Sequence, residues 1–499
     1  MKKKLLSFTM SVIVVACLFL ESCSFMHGNA PESSSNELKE ASIPDEKKYD
    51  GSTAEYINQK FSSLDYDGYT FRILGNNPGY HYYYLISDEA NEIWYEEDSA
   101  EVQQHAVFTR NILCEDLLNI KISLSPGGDA YEMYDRARIM AQAGVDDFDL
   151  VQTSHFRGFM SGMLGYYYNL YDVDSFDIGA YWWNQEYVDC YTHDFNDLTT
   201  ITGDALIFDD LAACAIFYNT SMVENYNLPD PTVLVDNGEW TIERMMEMAH
   251  SVTSDTDGDG QMTKYDTWGL IYDRGVAVIA FFDGCNIRLA EKDENDIPYL
   301  AAEESQVINA VQYVYENISR SGCLFSENEE TNRDIFKSDR ALFSDENLCA
   351  MFTMRDMESD FRLLPLPKLN LDQKEYSTVQ SGSVTSILAI PITVKDTDRV
   401  GNILNVFGGL STDTIDQSLN EVILGAKLVR DKRTVEMLKI IIDSKYYDWA
   451  KDLKWAFPIY QAMTDQGNAD QFFFVSKLKS VVRESKSMLK MFLGGYSFY

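Results

Sequence analysis

Strand and helix patterns alternate along the first part of the chain. Residues Tyr69–Leu74 combine β-branched and aromatic side chains between two turn sequences, which predicts a strand. Residues 147–151 predict another strand. Apolar residues at helical spacing between them predict an amphipathic helix that buries one face. They are Val102, Ala106, Leu113, Leu117 and Ile120. This alternation predicts an α/β fold with mostly parallel sheets flanked by helices.

The same mixture of patterns continues towards the C-terminus. Residues Ile242–Val252 and Val307–Ile318 predict helices, Ser386–Ile390 predicts a strand, and helical segments are expected from about Leu428 onward. Thr241 precedes the first of these helices as a predicted N-cap. The chain of 499 residues is long enough for two or three folding units.

The first 22 residues have the pattern of an export signal. Lysines at positions 2–4 precede an apolar run from Leu5 to Leu20, which is shorter than a membrane span requires. The run ends in Leu20-Glu21-Ser22-Cys23, which resembles the site at which bacterial lipoprotein signals are cut before a lipid-modified cysteine. We therefore expect a palmitate-bearing lipid anchor at Cys23 and a location on the outer face of the cell membrane.

Two other interpretations of this segment stay open. Val14-Val15-Ala16-Cys17 fits the same pattern, although Cys17 is followed by apolar residues where a polar tether is expected. An ordinary secretory signal with incidental cysteines is the second alternative. Residues 23–64 are rich in Ser, Glu, Asn and Pro and predict a disordered tether.

The charge of the chain restricts its partners. Acidic residues number 79 against 41 basic ones, which gives a net charge of −38. Such a surface repels phosphate backbones and anionic lipid headgroups, so nucleic acid is excluded as an expected partner and the membrane is reached through the anchor only. A hydrophobic fraction of 45% with 65 aromatic residues indicates globular folding units.

An acidic loop at residues 255–266 matches the spacing of a calcium-binding loop. Carboxylates at loop positions 1, 3, 5 and 12 and a glycine at position 6 converge oxygen atoms on one hard cation. A single loop without a paired second copy predicts a structural Ca²⁺ ion, whereas a solvated acidic turn is the alternative. The predicted ligands are Asp255, Asp257, Asp259, Gln261 and Asp266.

The remaining cysteines and histidines do not form a recognisable catalytic or metal motif. Six cysteines follow the signal without a CxxC pair, and the six histidines lack ligand spacing. Export would permit a Cys190–Cys214 disulfide, but isolated buried thiols are favoured in so long a chain. HExxH, GxSxG and phosphate-loop sequences are absent, so no enzyme is predicted.

An ordered series of short motifs resembles the extracellular solute-binding proteins, family 1, of ABC importers, whose sugar-binding members include maltose-binding protein. The series consists of residues 218–222 (YNTSM), 228–231 (LPDP), 237–241 (NGEWT), the acidic loop, 268–269 (WG), 336–343 (FKSDRALF) and 364–368 (LPLPK). The resemblance extends from about residue 65 to the C-terminal part. The chain departs from the family at Ala212 and Cys214, where relatives often carry polar ligand contacts.

The resemblance implies a two-lobed, periplasmic-binding-protein-like fold of type II with a ligand cleft between the lobes. Lobe 1 would comprise residues 65–212 and 385–425, and lobe 2 residues 213–384 and 426–499. A monomer would close over a neutral solute of the sugar or oligosaccharide class and deliver it to ABC permease subunits.

Candidate ligand contacts follow from this fold. Ligands of open α/β sheets lie at the carboxyl ends of strands, and sugars need planar polar groups and aromatic faces. The candidates are Asn76, Asn77, Ser154, His155, Trp182, Trp183, Asp209, Asp210 and Trp455. A sensing or adhesion lipoprotein on the same fold and a polysaccharide-active hydrolase are the alternative functions.

Overall fold

The fold is known from a computed structural model that describes residues 52–75, 92–128, 130–193, 197–354, 357–419, 432–452 and 455–496. The strands are β1 (Tyr69–Gly75), β2 (Ile120–Pro126), β3 (Leu150–Ser154), β4 (Cys214–Asn219), β5 (Trp268–Ile271), β6 (Ala290–Lys292), β7 (Pro298–Leu300), β8 (Leu324–Phe325), β9 (Ala341–Asn347), β10 (Phe361–Leu364), β11 (Thr378–Val379), β12 (Ser386–Ala389) and β13 (Lys445–Tyr446).

Helices flank these strands over most of the described chain. They are α1 (Thr53–Phe61), α2 (Val102–Leu118), α3 (Ala130–Ala143), α4 (His155–Met163), α5 (Gln185–Tyr191), α6 (Thr220–Asn225), α7 (Pro231–Asp236), α8 (Ile242–Val252), α9 (Arg274–Gly284), α10 (Glu304–Val314), α11 (Glu329–Lys337), α12 (Thr397–Ser411), α13 (Lys432–Asp443), α14 (Trp449–Asp452), α15 (Phe457–Asn468) and α16 (Phe474–Tyr496). None of the helices in the described ranges is long and apolar enough for a bilayer crossing.

The first sheet, of order β12-β3-β1-β2, forms the centre of lobe 1. Strand β1 is parallel to β2 and β3, whereas β12 is antiparallel to β3. Helix α12 packs against α1 and α2. Because β12 comes from a distant part of the sequence, the lobe is completed only when the chain returns to it.

The second sheet, of order β10-β4-β9-β5-β8, forms the centre of lobe 2. Strand β5 is parallel to β8 and β9, and β4 is antiparallel to β9 and β10. Both sheets are therefore more mixed than the expected mostly parallel arrangement. The reason is that β4 and β12 enter their sheets from the other lobe, without a crossover helix of the same sheet to impose parallel pairing.

The chain passes between the lobes at residues 206–213 and 380–385, and these two crossings contact each other. Ala213 and Gln380 form an antiparallel bridge, and the Ser381 amide donates to the Ala212 carbonyl. Strands β11 and β13 pair in parallel beside the crossings. We call this two-stranded sheet the crossing sheet. It joins the second crossing to the C-terminal segment whose helices α13 and α15 pack on lobe 2.

Helix α2 was predicted correctly, but its buried face was not. Val102 and Leu113 are 42% and 41% exposed, whereas Val107, Arg110 and Leu118 are fully buried. The guanidinium of Arg110 lies 3.6 Å from the centre of the Phe407 ring and donates to the backbone carbonyls of residues 92 and 93. Arg110 can occupy a core position because backbone carbonyls accept its hydrogen bonds. A hydrophobicity pattern instead predicts that an arginine faces the solvent.

The ordered chain also begins earlier than predicted. Residues 53–61 of the expected tether form α1, which packs on α12 through the buried side chains Ile57 and Phe61. Ser52 caps the helix by accepting from the Glu55 amide at 3.2 Å. The Ala54 amide also donates to Asp413 Oδ2 at 2.8 Å, so apolar packing and a hydrogen bond hold the helix on the lobe although the composition around it is that of a disordered segment.

The six described cysteines are free thiols. Cys190 and Cys214 do not form the disulfide that export would permit, and isolated thiols are the state the structure gives. Burial raises the pKa of Cys214 above the range of a reactive thiol.

A buried acid in lobe 2 makes stability depend on pH. Asp345 on β9 is 2% exposed, and its Oδ2 has no hydrogen-bond partner among the described residues. Its pKa lies well above the usual range because burial disfavours the carboxylate and Glu346 and Asp283 repel it, although Lys451 acts in the opposite direction.

The Asp345→Asn substitution tests this. Since the folded-state pKa lies above the unfolded value, the wild-type protein loses stability as pH rises from about 4 towards the folded-state pKa. Asn lacks this loss, so the variant should gain stability relative to wild type between pH 5 and pH 8 in urea denaturation. The control is Asp372→Asn at an exposed position, which should keep the wild-type dependence of stability on pH. The same dependence in Asp345→Asn would contradict the raised pKa of Asp345.

Candidate functional site

A buried carboxylate marks the place where the lobes and the crossings meet. Asp209 is 7% exposed and ends a 3₁₀ turn on the first crossing. Its Oδ1 accepts from the Tyr447 hydroxyl at 2.6 Å, and its Oδ2 accepts from Asn184 Nδ2 at 3.0 Å. Lys445 Nζ lies 3.7 Å from Asp209 Oδ2 and 2.5 Å from Asp210 Oδ1. Two chain segments that are far apart in sequence therefore supply the partners of one acid.

Local structure fixes the direction of each partner. Asn184 is the N-cap of α5 and accepts from the Tyr187 amide at 2.9 Å, which turns its amide group towards Asp209. Lys445 and Tyr447 are two residues apart at β13, so their side chains leave the strand on the same side. The sequence thus positions both donors against the first crossing.

The carboxylates of Asp209 and Asp210 share the ammonium group of Lys445. Burial lowers the pKa of Lys445, but Asp209 and Asp210 more than offset this effect and raise it above its usual value. Burial and the neighbouring Asp209 both raise the pKa of Tyr447, so its hydroxyl stays protonated and donates. Two acids, one base, one phenol and the amide of Asn184 form one connected set.

Aromatic rings from both lobes lie next to this set. His155 is 4.4 Å from Tyr191 between ring centres, and Tyr187 is 4.6 Å from Tyr191 and 5.2 Å from Tyr447. The His155 Nδ1 lies 2.9 Å from the Tyr187 hydroxyl, which is 2.6 Å from Thr200 Oγ1. We call this group, completed by Phe159 and Trp449, the interlobe aromatic cluster. It joins α4 and α5 of lobe 1 to the segment after β13.

A second contact joins the lobes nearby. Lys292 on β6 donates to the backbone carbonyls of Asp189 at 2.5 Å and Thr192 at 2.8 Å, at the C-terminal end of α5. Lys292 also pairs with Asp296 at 2.7 Å. A cation at the negative end of a helix is favourable, so the β6–β7 hairpin is held against lobe 1.

The predicted site residues divide into two groups. His155, Asp209 and Asp210 come together in the region just described. Ser154 ends β3 next to His155, is 7% exposed and pairs with Ser386 of β12. Asn76 and Asn77 lie outside the described residues. Aromatic faces and convergent polar groups are what a pocket for a hydroxyl-rich solute requires.

The predicted tryptophan platforms are buried in this structure. Trp182 and Trp183 are 2% and 1% exposed, and a Cβ on Gly408 of α12 would lie 2.6 Å from Trp182 Cδ1 and 2.8 Å from Trp183 Cη2. Trp455 is 1% exposed. Helix α12 covers Trp182 and Trp183, but the rings of the interlobe aromatic cluster are equally buried, with His155, Tyr187 and Tyr191 at 0% exposure. The three tryptophan assignments therefore stay predictions.

Sequence reasoning missed the residues that surround Asp209 and form the aromatic cluster. They are Asn184, Tyr187, Tyr191, Lys445, Tyr447 and Trp449. A signal was present: Tyr187 and Tyr191 are four residues apart behind an Asn N-cap, and residues 445–449 read KYYDW. Neither pattern distinguishes a ligand-facing aromatic group from an ordinary packed one.

The acidic loop brings three of its predicted ligands together. Carboxylate oxygens of the exposed Asp255, Asp257 and Asp259 all lie within 4.8 Å of one another. Asp255 accepts from the amides of Gly258 at 2.6 Å and Gly260 at 2.7 Å. Gly260 has φ +83°, which only glycine adopts easily and which bends the loop around the acids.

Asp266 has a different environment from the three clustered acids. It is buried, and it accepts from the amides of Thr263 at 2.6 Å and Thr256 at 2.9 Å, which lower its pKa. Gln261 is exposed, and its backbone amide donates to Asp259 Oδ1 at 2.7 Å. Asp266 therefore closes the base of the loop through backbone contacts, and the donor set that faces the loop interior is made of hard oxygens.

Comparisons with known proteins identify the fold. No protein-family model and no curated protein sequence matches the chain. An extracellular solute-binding protein from Staphylococcus aureus in complex with maltose has a TM-score of 0.54 at 12% identity and covers 85% of this chain and 97% of its own. This chain has the two-lobed fold of the solute-binding proteins.

Two further solved structures share this fold. The GacH receptor of Streptomyces glaucescens, solved unliganded and with acarbose, has a TM-score of 0.53 at 12% identity and covers 87% of this chain and 99% of its own. An ABC transporter solute-binding protein from Thermotoga lettingae, bound with α-D-tagatose, has a TM-score of 0.53 at 12% identity and covers 85% and 100%. The two-lobed α/β prediction is thereby confirmed.

Removal of one hydroxyl tests the importance of the buried acid. Tyr447→Phe deletes the 2.6 Å bond to Asp209 and leaves a buried carboxylate with one donor fewer. We expect a loss of about 1–3 kcal/mol in the free energy of unfolding, measured by urea denaturation. Tyr299→Phe removes an exposed bond to Glu291 at 3.1 Å and is the control, with an expected loss below about 0.5 kcal/mol. Equal losses for both variants would contradict a stabilising role of the bond between Tyr447 and Asp209.

Proposed function

We propose that this chain is an extracellular, lipid-anchored solute-binding protein that captures a neutral carbohydrate between its lobes and delivers it to an ABC permease. The observation that carries the proposal is the meeting of Asp209, Asn184 and Tyr447 with the interlobe aromatic cluster. Carboxylate and amide groups bind sugar hydroxyls, and aromatic faces cover the C–H side of a sugar ring.

Binding is coupled to closure because the site residues belong to both lobes. Asn184 and Tyr187 lie on lobe 1, whereas Lys445 and Tyr447 lie on the segment that continues into lobe 2. A ligand that contacts both sets binds the closed form more tightly than the open one and shifts the population towards it. The sugars bound by the solved neighbours, maltose, acarbose and α-D-tagatose, agree with this ligand class.

A thermal-shift and calorimetric screen tests the ligand class. Glucose, maltose, maltotetraose, cellobiose and tagatose are titrated, and at least one should raise the melting temperature in a concentration-dependent way. Asp209→Ala should abolish that shift, whereas Lys439→Ala, an exposed lysine on α13, should leave it intact. Hydrolysis of an oligosaccharide in the screen would favour the hydrolase, and silence with every sugar would remove the carbohydrate proposal.

The acidic loop is proposed as a structural Ca²⁺ site held by Asp255, Asp257 and Asp259, with Gln261 and Asp266 as the further candidates. Chelation should lower the melting temperature by a few degrees, because a cation that binds only the folded protein stabilises it. Asp257→Asn should abolish the response to chelator, and the exposed Asp372→Asn should retain it. An unchanged melt together with no calcium in elemental analysis contradicts the assignment.

The lipid anchor is proposed at Cys23 from the sequence of the export signal. In a bacterial host, the wild-type chain should incorporate an alkyne analogue of palmitate and sediment with membranes, because a diacylglyceryl anchor holds it there. Cys23→Ala should lose the label, whereas Cys17→Ala should keep it. Label that follows Cys17 instead would move the anchor to that residue.

A further inference from the structure

The crossing sheet presents two chemically different faces. Lys445 and Tyr447 reach Asp209 from one side of β13, whereas Tyr446 points to the other side, where its hydroxyl lies 3.4 Å from Asp283 Oδ1. On the paired strand, Ser377 donates to the Asp283 carbonyl at 3.1 Å. Thr378 and Gln380 are two residues apart and leave the strand on the same side as each other.

Gln380 faces the Asp209 side. Its Nε2 donates to the backbone carbonyl of Asp209 on the first crossing. Its own backbone amide donates to the Tyr446 carbonyl at 2.8 Å, which fixes the strand in register beside β13. The side chain of Gln380 is therefore held next to the residues that form the candidate ligand site.

The side chains of Thr378 and Gln380 each carry a buried polar atom without a hydrogen-bond partner in the described part of the chain. Gln380 is 1% exposed and Thr378 is 0% exposed. Within the described part of the chain, neither Gln380 Oε1 nor Thr378 Oγ1 has a hydrogen-bond partner. Buried polar atoms are nearly always paired in native proteins, so a buried water or a ligand group is expected to pair with these two atoms.

We propose that Thr378 and Gln380 are ligand-contacting residues at the floor of the interlobe site, and that they bind hydroxyl groups of a neutral sugar. The amide oxygen of Gln380 accepts a hydrogen bond from one hydroxyl, and the Thr378 hydroxyl donates to or accepts from a second. This inference rests on the proposed function. It assigns specificity to the second crossing, because an acceptor and a hydroxyl two residues apart match a solute that carries several hydroxyl groups.

A ligand contact and a structural role predict opposite effects of the same change. Thr378→Val keeps the shape of the side chain and removes an unpaired buried hydroxyl, so the ligand-free protein should be as stable as wild type or more stable. The same change removes a partner of the sugar, so affinity should fall. A hydroxyl that only holds a buried water would lower stability when removed and leave affinity unchanged.

The test measures the ligand-free melting temperature and the Kd for whichever of glucose, maltose, maltotetraose, cellobiose or tagatose binds wild type most tightly. We expect Thr378→Val to raise the Kd about 2- to 10-fold, with a melting temperature at or above wild type. Gln380→Leu should raise the Kd at least as much, but it also removes the contact to Asp209 and serves as the second variant.

Thr199→Val is the matched control. Thr199 in lobe 1 is also buried with an unpartnered Oγ1 within the described chain, and it lies against Gly162, away from the crossings. Its substitution should leave the Kd within twofold of wild type. The inference is overturned if Thr378→Val also stays within twofold, or if Thr199→Val raises the Kd equally. If no sugar binds the wild-type protein, the proposed function fails and this inference fails with it.

Discussion

The arrangement of the two lobes depends on the burial of one carboxylate, that of Asp209. A buried acid is costly unless donors surround it, and here the donors are Tyr447, Asn184 and, at longer range, Lys445. They belong to segments that are far apart in sequence, namely the start of α5 and the strand β13. Satisfying Asp209 therefore requires the first crossing, lobe 1 and the C-terminal segment to meet at one point, beside the rings of Tyr187 and Tyr447.

The crossing sheet lies between two ion pairs, one on each of its faces. Lys445 pairs with Asp210 on one side at 2.5 Å, and Lys451 pairs with Asp283 at 2.7 Å on the side of lobe 2. The strands of this sheet contain two residues each, so few hydrogen bonds resist a change in their twist. Each ion pair lies on its own side of the sheet, and each ammonium group faces a carboxylate.

Much of the fold could be predicted from the sequence because local and long-range signals agree there. Helix α8 was predicted with its bounds and N-cap, and the acidic loop brings Asp255, Asp257 and Asp259 together as its spacing required. The failures have a common physical cause. The buried face of α2 was predicted wrongly and the burial of Trp183 was not foreseen, because burial is decided by partners that are distant in sequence. Here these partners are the carbonyls around Arg110 and the close approach of Gly408.

The candidate site was hardest to predict where its chemistry lies on very short strands. The first crossing ends in an apolar stretch, in which Ala212 is fully buried, and the Cys214 thiol at the start of β4 lies 3.4 Å from Asn347 Nδ2. The bridge between Ala213 and Gln380 sets the second crossing directly beside this apolar stretch. Gln380 on the second crossing thus supplies a polar group beside a first crossing that lacks one there. A strand of two residues is too short for a hydrophobic pattern to reveal this. The polar function of the crossing belongs to the pair of segments and not to either sequence alone.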